Sequence, residues 1–207
     1  MNKLQLSALI IGLVFALSFI LGSTSTTVEV EKLTQEAVVL AFGDSLTYGN
    51  GAVSQTYPVQ LQEIIGRKVV NAGISGEVSS SGLQRLPHLL ELHHPKLVIL
   101  CHGGNDILRR YSKIDLKNNL IKMIDLSQAS GAQVLLVGVP GFGLLGLSTV
   151  TLYEEVAQEQ NVLYEGSVLE TIESAPSLKS DRIHPNGAGY KMMAEAFATL
   201  LRENGVL

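Results

Sequence analysis

Short, wholly apolar runs alternate along the chain with longer stretches in which apolar residues recur every three or four positions. Five runs read as strands: 37–42, 68–71, 97–101, 133–139 and 162–164. Between and after them the spacing predicts helices over 57–65, 81–93, 114–129, 151–160 and 188–201. Leu116, Leu120, Met123 and Ile124 show the repeat that buries one helix face. Pro58 suits a first helical turn, where a missing N–H costs nothing. Alternating strands and helices imply an α/β fold built on a five-stranded parallel sheet. In such sheets, ligands bind at loops beyond the carboxyl ends of the strands. There is no internal repeat, and the only low-complexity stretch is the Ser/Thr segment 23–27.

Composition narrows this picture. With 46% hydrophobic and 16% charged residues, the 207-residue chain suits one compact domain with a real core, placed here at 30–207. A formal net charge of −4 with scattered lysines offers no basic stripe for a phosphate backbone, so no nucleic-acid partner is expected. Met1-Asn2-Lys3 precedes an apolar stretch from Leu6 to Leu21 and then small polar residues, which marks 1–25 as an export signal. The stretch is long for a signal core and short for a spanning helix, so an uncleaved anchor is the alternative. A periplasmic or secreted monomer follows, with membrane contact only through that segment if it is retained. Cys101 is the only cysteine, so no intrachain disulfide forms. It sits in an apolar run and reads as a buried structural thiol.

Candidate chemistry lies in four polar segments: Gly43-Asp44-Ser45-Leu46, Asn71 to Gly76, Gly103-Gly104-Asn105-Asp106, and Asp181 to Asn186. Three of them follow predicted strands. Singly, each is ordinary turn or cap punctuation. Together they supply Ser45, His184 and Asp181, the three groups of an activated serine nucleophile: a hydroxyl, a base to take its proton, and a carboxylate to orient the base. Asp181 and His184 are close enough for one turn to carry both, and Pro185 keeps His184 out of helical geometry, in a loop before the last helix. Asp44 reads as a loop-bracing acid, and Asp106 as the cap of the helix after the glycines.

In this order the four segments resemble the GDSL, or SGNH, hydrolase family, over nearly all of the chain after residue 25. Asn71-Ala72-Gly73-Ile74-Ser75-Gly76-Glu77 and Arg85-Leu86-Pro87 are most similar to its small exported bacterial thioesterases, arylesterases and lysophospholipases. The resemblance implies a flavodoxin-like three-layer α/β/α fold with Ser45 as nucleophile, His184 as general base and Asp181 as its partner. It also implies an oxyanion hole made by the backbone N–H groups of Ser45 and Gly76 and the side-chain amide of Asn105. Gly73 competes with Gly76 as the glycine donor; the alignment favours Gly76 and leaves Gly73 to turn geometry. No cofactor or metal is implied, and the substrate would be a small-molecule or lipid acyl ester or thioester.

Rival readings start from other residues. Gly141-Phe142-Gly143-Leu144-Leu145-Gly146 matches a dinucleotide-binding fingerprint after a predicted strand, with Glu165 near the expected distance; Pro140 and the shortage of following strands weigh against it. A carbohydrate O-acetylesterase on the same fold is an alternative, as is a hydrolase fold kept as a binding module. The five histidines lack metal-ligand spacing, and His88 and His94 read as surface or packing residues. His102 ends a strand and is open to a place in the cleft. Activity is expected to fall below about pH 6.5, where an ordinary imidazole protonates. The apolar loop Phe142, Leu144, Leu145 and Leu147 suggests an acyl-chain dock, since each buried methylene contributes about 0.8 kcal/mol.

Overall fold

Val39–Gly43 (β1) and Leu97–Cys101 (β3) are buried along their whole length, as strands covered on both faces must be. A computed structural model describes residues 28–143 and 146–207. In chain order the remaining elements are α1 (Ser45–Tyr48), α2 (Tyr57–Ile65), β2 (Val69–Gly73), α3 (Ser79–His93), α4 (Gly104–Leu108), α5 (Lys113–Ala129), β4 (Gln133–Val137), β5 (Pro140–Gly143), β6 (Gly146–Thr149), α6 (Thr151–Gln160), β7 (Leu163–Glu165), α7 (Val168–Ser174) and α8 (Gly187–Glu203). A single 3₁₀ turn, Pro176–Leu178, links α7 to the loop before α8.

The main sheet has the order β2-β1-β3-β4-β7 and every pairing in it is parallel. α2 and α8 pack together, with Tyr57 edge-on to Phe197 at 5.2 Å between ring centroids, and α3, α5 and α6 form a second helical group. This is the three-layer α/β/α arrangement that the motif resemblance implies. From β1 the chain moves one strand outward to β2, then returns to the other side of β1 as β3. The loops leaving β1 and β3 therefore diverge and leave a crevice between them. Register brings those loops to one level, because Gly43 is paired with both Gly73 and Cys101.

Helix ends follow local chemistry. Thr56 caps α2 by accepting from the Val59 N–H, Pro58 stands in its first turn, and Gly66 closes it in the left-handed conformation. Asn161 closes α6 in the same way.

Two segments depart from the sequence expectation. The fourth strand stops at Val137, and the Gly-rich stretch after it forms an antiparallel hairpin in which Pro140 pairs with Thr149 and Gly143 with Gly146. A dinucleotide fingerprint needs a strand-to-helix turn there, so that reading of Gly141, Gly143 and Gly146 fails on local geometry. Glu165 is also committed: its carboxylate accepts from Ser167 and from the Val168 N–H at the start of α7. Residues 1–25, Leu144 and Leu145 lie outside the described residues, as do the side chains of Phe142 and Leu147. Among the described residues no helix is long and apolar enough to cross a membrane.

Candidate active site

Ser45 opens α1 directly beyond β1. Asp44 caps that turn, its Oδ1 accepting from the Leu46 N–H at 3.1 Å. Only glycine fits before it, since a Cβ on Gly43 would strike the Cys101 carbonyl and the Thr47 hydroxyl. The serine is thus held in a tight bend, 9% exposed, against a cavity of about 590 Å³.

Across that cavity lies the loop before α8. His184 Nε2 is 3.0 Å from Ser45 Oγ, and His184 Nδ1 is 2.7 Å from Asp181 Oδ2. Asp181 Oδ1 also accepts from the backbone N–H groups of Ile183 and His184, both at 2.8 Å. The backbone N–H of His184, then its ring, then the backbone N–H of Ile183 hold the Asp181 carboxyl down at about 2. A carboxylate fixed there places the remaining proton on Nδ1 and leaves Nε2 for the serine.

The loop is pinned at both ends. Asn186 caps α8 through Ala188 and Gly189 and donates back to the Ser177 carbonyl at 2.8 Å. The Tyr190 hydroxyl donates to the Asn50 carbonyl at 2.8 Å, tying α8 to the chain just past Ser45. Residues 139 apart in sequence meet because these ties span the same gap.

Gly76 and Asn105 line the same cavity. Gly76 adopts φ +77°, a backbone that side-chain-bearing residues rarely take, and its carbonyl accepts from Arg109 at 2.9 Å. Among the described residues its N–H meets no acceptor. The Asn105 amide donates to the Glu77 carbonyl at 3.0 Å and to Asp44 Oδ2 at 3.2 Å. Asp44 is therefore a brace for Asn105 as well as a cap. Burial pushes its carboxyl up, and the donors around it only partly counter this. Gly73 serves packing rather than a turn: a Cβ there would collide with the backbone of Thr47 and Tyr48.

Sequence reasoning missed the support beneath this loop. Glu77 Oε2 accepts from Arg85 Nη2 at 2.7 Å and lies 3.1 Å from His102 Nε2. Arg85 also donates to the Ala72 and Gly43 carbonyls, and its guanidinium lies 4.2 Å from the centre of the Phe42 ring. His102 is fully buried and accepts from the Gly103 N–H through Nδ1, so its second nitrogen carries the proton and donates to Glu77. It does not reach the cavity. Burial raises the Glu77 carboxyl, but hydrogen bonds from His102 and Arg85 outweigh it and hold the group below its ordinary value. An arginine on the predicted helix 81–93, eight residues after a glutamate, was the available signal. Arg85→Met is expected to cost on the order of 3 kcal/mol, because it leaves the buried Glu77 carboxylate without its counter-charge and held by the His102 ring alone. A chemical denaturation midpoint checks this.

Asp106 also departs from expectation. It sits inside α4, and its carboxylate accepts from the backbone N–H and hydroxyl of Ser79, capping α3 instead of its own helix. Cys101 is buried as expected, and burial pushes its thiol well up, out of nucleophilic use. His88 and His94 are exposed. Among the described residues no three ligating side chains cluster as a metal would require.

A parallel α/β sheet whose crevice holds serine, imidazole and carboxylate in hydrogen-bonded series has the make-up of a serine ester hydrolase. Comparison with known proteins gives the same class. The GDSL-like Lipase/Acylhydrolase family profile matches residues 41–192. Esterase TesA of Pseudomonas aeruginosa is 34% identical over 177 residues, 79% of this chain and 88% of that protein. Thioesterase 1/protease 1/lysophospholipase L1 of Escherichia coli K12 is 31% identical over 172 residues, 79% and 83% of the two chains. The crystal structure of TesA superposes with a TM-score of 0.72 at 31% identity, covering 81% of this chain and 99% of that one. The chain belongs to the GDSL-like lipase/acylhydrolase family and is a serine ester hydrolase.

Proposed function

We propose that the chain hydrolyses acyl esters or thioesters through an acyl-enzyme on Ser45, with His184 as general base and Asp181 as the group that orients it. The observation that carries this is the unbroken series Ser45 Oγ, His184 and Asp181, at 3.0 and 2.7 Å, on one cavity. Ser45 Oγ attacks the carbonyl carbon while its proton passes to His184 Nε2. Charge building on the carbonyl oxygen is met by the N–H groups of Ser45 and Gly76 and the Asn105 amide. His184 then protonates the departing alkoxide or thiolate. Water, deprotonated by the same nitrogen, attacks the acyl-enzyme, and collapse of that second intermediate returns Ser45 with its proton. No metal or organic cofactor enters either half.

Apolar walls support an acyl substrate: Leu46, Leu108, Val139, Leu169 and Ile183 line the cavity. The names of the relatives include esterase and thioesterase, which fits both leaving groups. A matched panel of p-nitrophenyl esters and acyl-thioesters, short and long, tests the reading. Turnover that persists with a chelator and is lost in Ser45→Ala supports it. Turnover confined to acetylated carbohydrates would move the substrate to the alternative acetylesterase class. The apolar stretch 6–21 supports export through residues 1–25, which a sized product in the periplasmic or culture fraction would test.

A pH profile follows from Asp181. Its ordinary value is 3.8 and its folded value about 2, so the carboxylate stays charged across the working range. The support it lends the loop is complete above its ordinary value and is lost only as pH falls through about 2. Protonation of Asp181 is therefore not expected to contribute to any acid loss of kcat/KM between pH 4 and 8. A titration of the Asp181 carboxyl between pH 4 and 8, followed by carbon NMR of the side chain, would contradict this assignment.

A further inference from the structure

One exposed segment beside the cavity gives the site only Leu108 in its wall and Arg109 on the Gly76 carbonyl. From Leu108 to Ile114 the chain runs Leu-Arg-Arg-Tyr-Ser-Lys-Ile, linking α4 to α5. Leu108 is 52% exposed, Tyr111 53% and Ile114 73%, three large apolar groups within seven residues. Arg109, Arg110 and Lys113 lie between them, are exposed, and form no salt bridge among the described residues. No acid interrupts the segment. Of its acidic neighbours, Asp106 is buried against Ser79, and Asp115 follows Ile114 at the start of α5. A chain with net charge −4 thus places a local surplus of cations among apolar side chains. Leu108 lines the cavity itself, and Arg182 and Ile183 line it from the loop carrying His184, with Ile183 40% exposed.

We infer that this face docks on the surface of an anionic phospholipid bilayer, with Tyr111 and Ile114 entering the headgroup region and Arg110 and Lys113 facing lipid phosphates. Interleaved cationic and apolar or aromatic groups are what such a surface selects. The inference rests on the acyl-ester reading only for its purpose: the cavity mouth would then lie against a source of acyl chains. Contact here is separate from any made by the N-terminal segment.

Ile114→Cys in the full chain, labelled with an environment-sensitive fluorophore, reads this face directly, because native Cys101 is buried. Leu92→Cys, on the exposed last turn of α3, is the control. With phosphatidylglycerol vesicles the label at 114 is expected to brighten at least about twofold while the label at 92 does not change. Phosphatidylcholine vesicles, or about 0.5 M NaCl, should suppress the change. Arg110→Gln with Lys113→Gln should weaken vesicle binding roughly 30-fold while leaving turnover of a soluble ester intact. No response at 114, an equal response at 92, an unchanged affinity in the double variant, or the same response to inorganic phosphate alone would each overturn the proposal. Fluorescence is read without turnover, so failure of the hydrolytic reading and failure of docking remain distinguishable.

Discussion

Ser45→Ala is expected to lower kcat for a soluble aryl ester by about 10⁶-fold, since a nucleophile acting as a unit with its base takes nearly the whole covalent route with it when removed. The fold should survive. Ser45 is small, lies at the cavity rather than in the core, and among the described residues its side chain hydrogen-bonds to His184 alone. His184→Ala should fall by a comparable factor, and the double variant little further, because each change disables the same step. Additive losses in the double variant would mean that the two residues act independently, which the 3.0 Å contact does not allow for. Steady-state rates on one ester, with denaturation midpoints for each variant, decide this.

The next largest effect is expected at Asn105. Loss of one oxyanion donor costs about 10²- to 10³-fold in kcat, with KM little changed, because the developing charge is met only after attack begins. Asn105 Nδ2 lies 3.0 Å from the Glu77 carbonyl and 3.2 Å from Asp44 Oδ2, so meeting the oxyanion exchanges the longer of these contacts, to Asp44, for the substrate oxygen. The amide is thus held in place before substrate arrives. Asn105→Ala removes the donor and also deprives buried Asp44 of a partner, so a stability loss on the order of 1–3 kcal/mol should accompany the kinetic one. A fall in kcat/KM that came entirely from KM would place Asn105 in ground-state binding instead.

Sequence legibility tracked how local each feature is. Helix α2 begins and ends where expected because Thr56, Pro58 and Gly66 are all signals read within a few residues. Ser45, Asn105, Asp181 and His184 were visible because each sits in a polar break at the end of an apolar run or just before the last helix. The β5–β6 hairpin was not visible: Pro140, Gly141 and Gly143 carry no alternation, and its pairing depends on the approach of the two strands alone. Asp106 was given to the wrong helix because its partner, Ser79, comes from 27 residues earlier. The support formed by Glu77, Arg85 and His102 was hidden for the same reason. It joins β1, β2, β3 and α3 through contacts that no single window contains.

A covalent acyl-enzyme on Ser45 leaves a trace that active-site labelling reads. The chain is treated with a p-nitrophenyl alkylphosphonate, released p-nitrophenol is counted, and the adduct is located by peptide mass mapping. One equivalent of p-nitrophenol per chain is expected, with the phosphonyl group on Ser45 alone, hydrolysis abolished in step, and labelling greatly slowed in His184→Ala. Inactivation with Ser45 unmodified, or an adduct on another residue that accounts for the lost activity, would contradict the account.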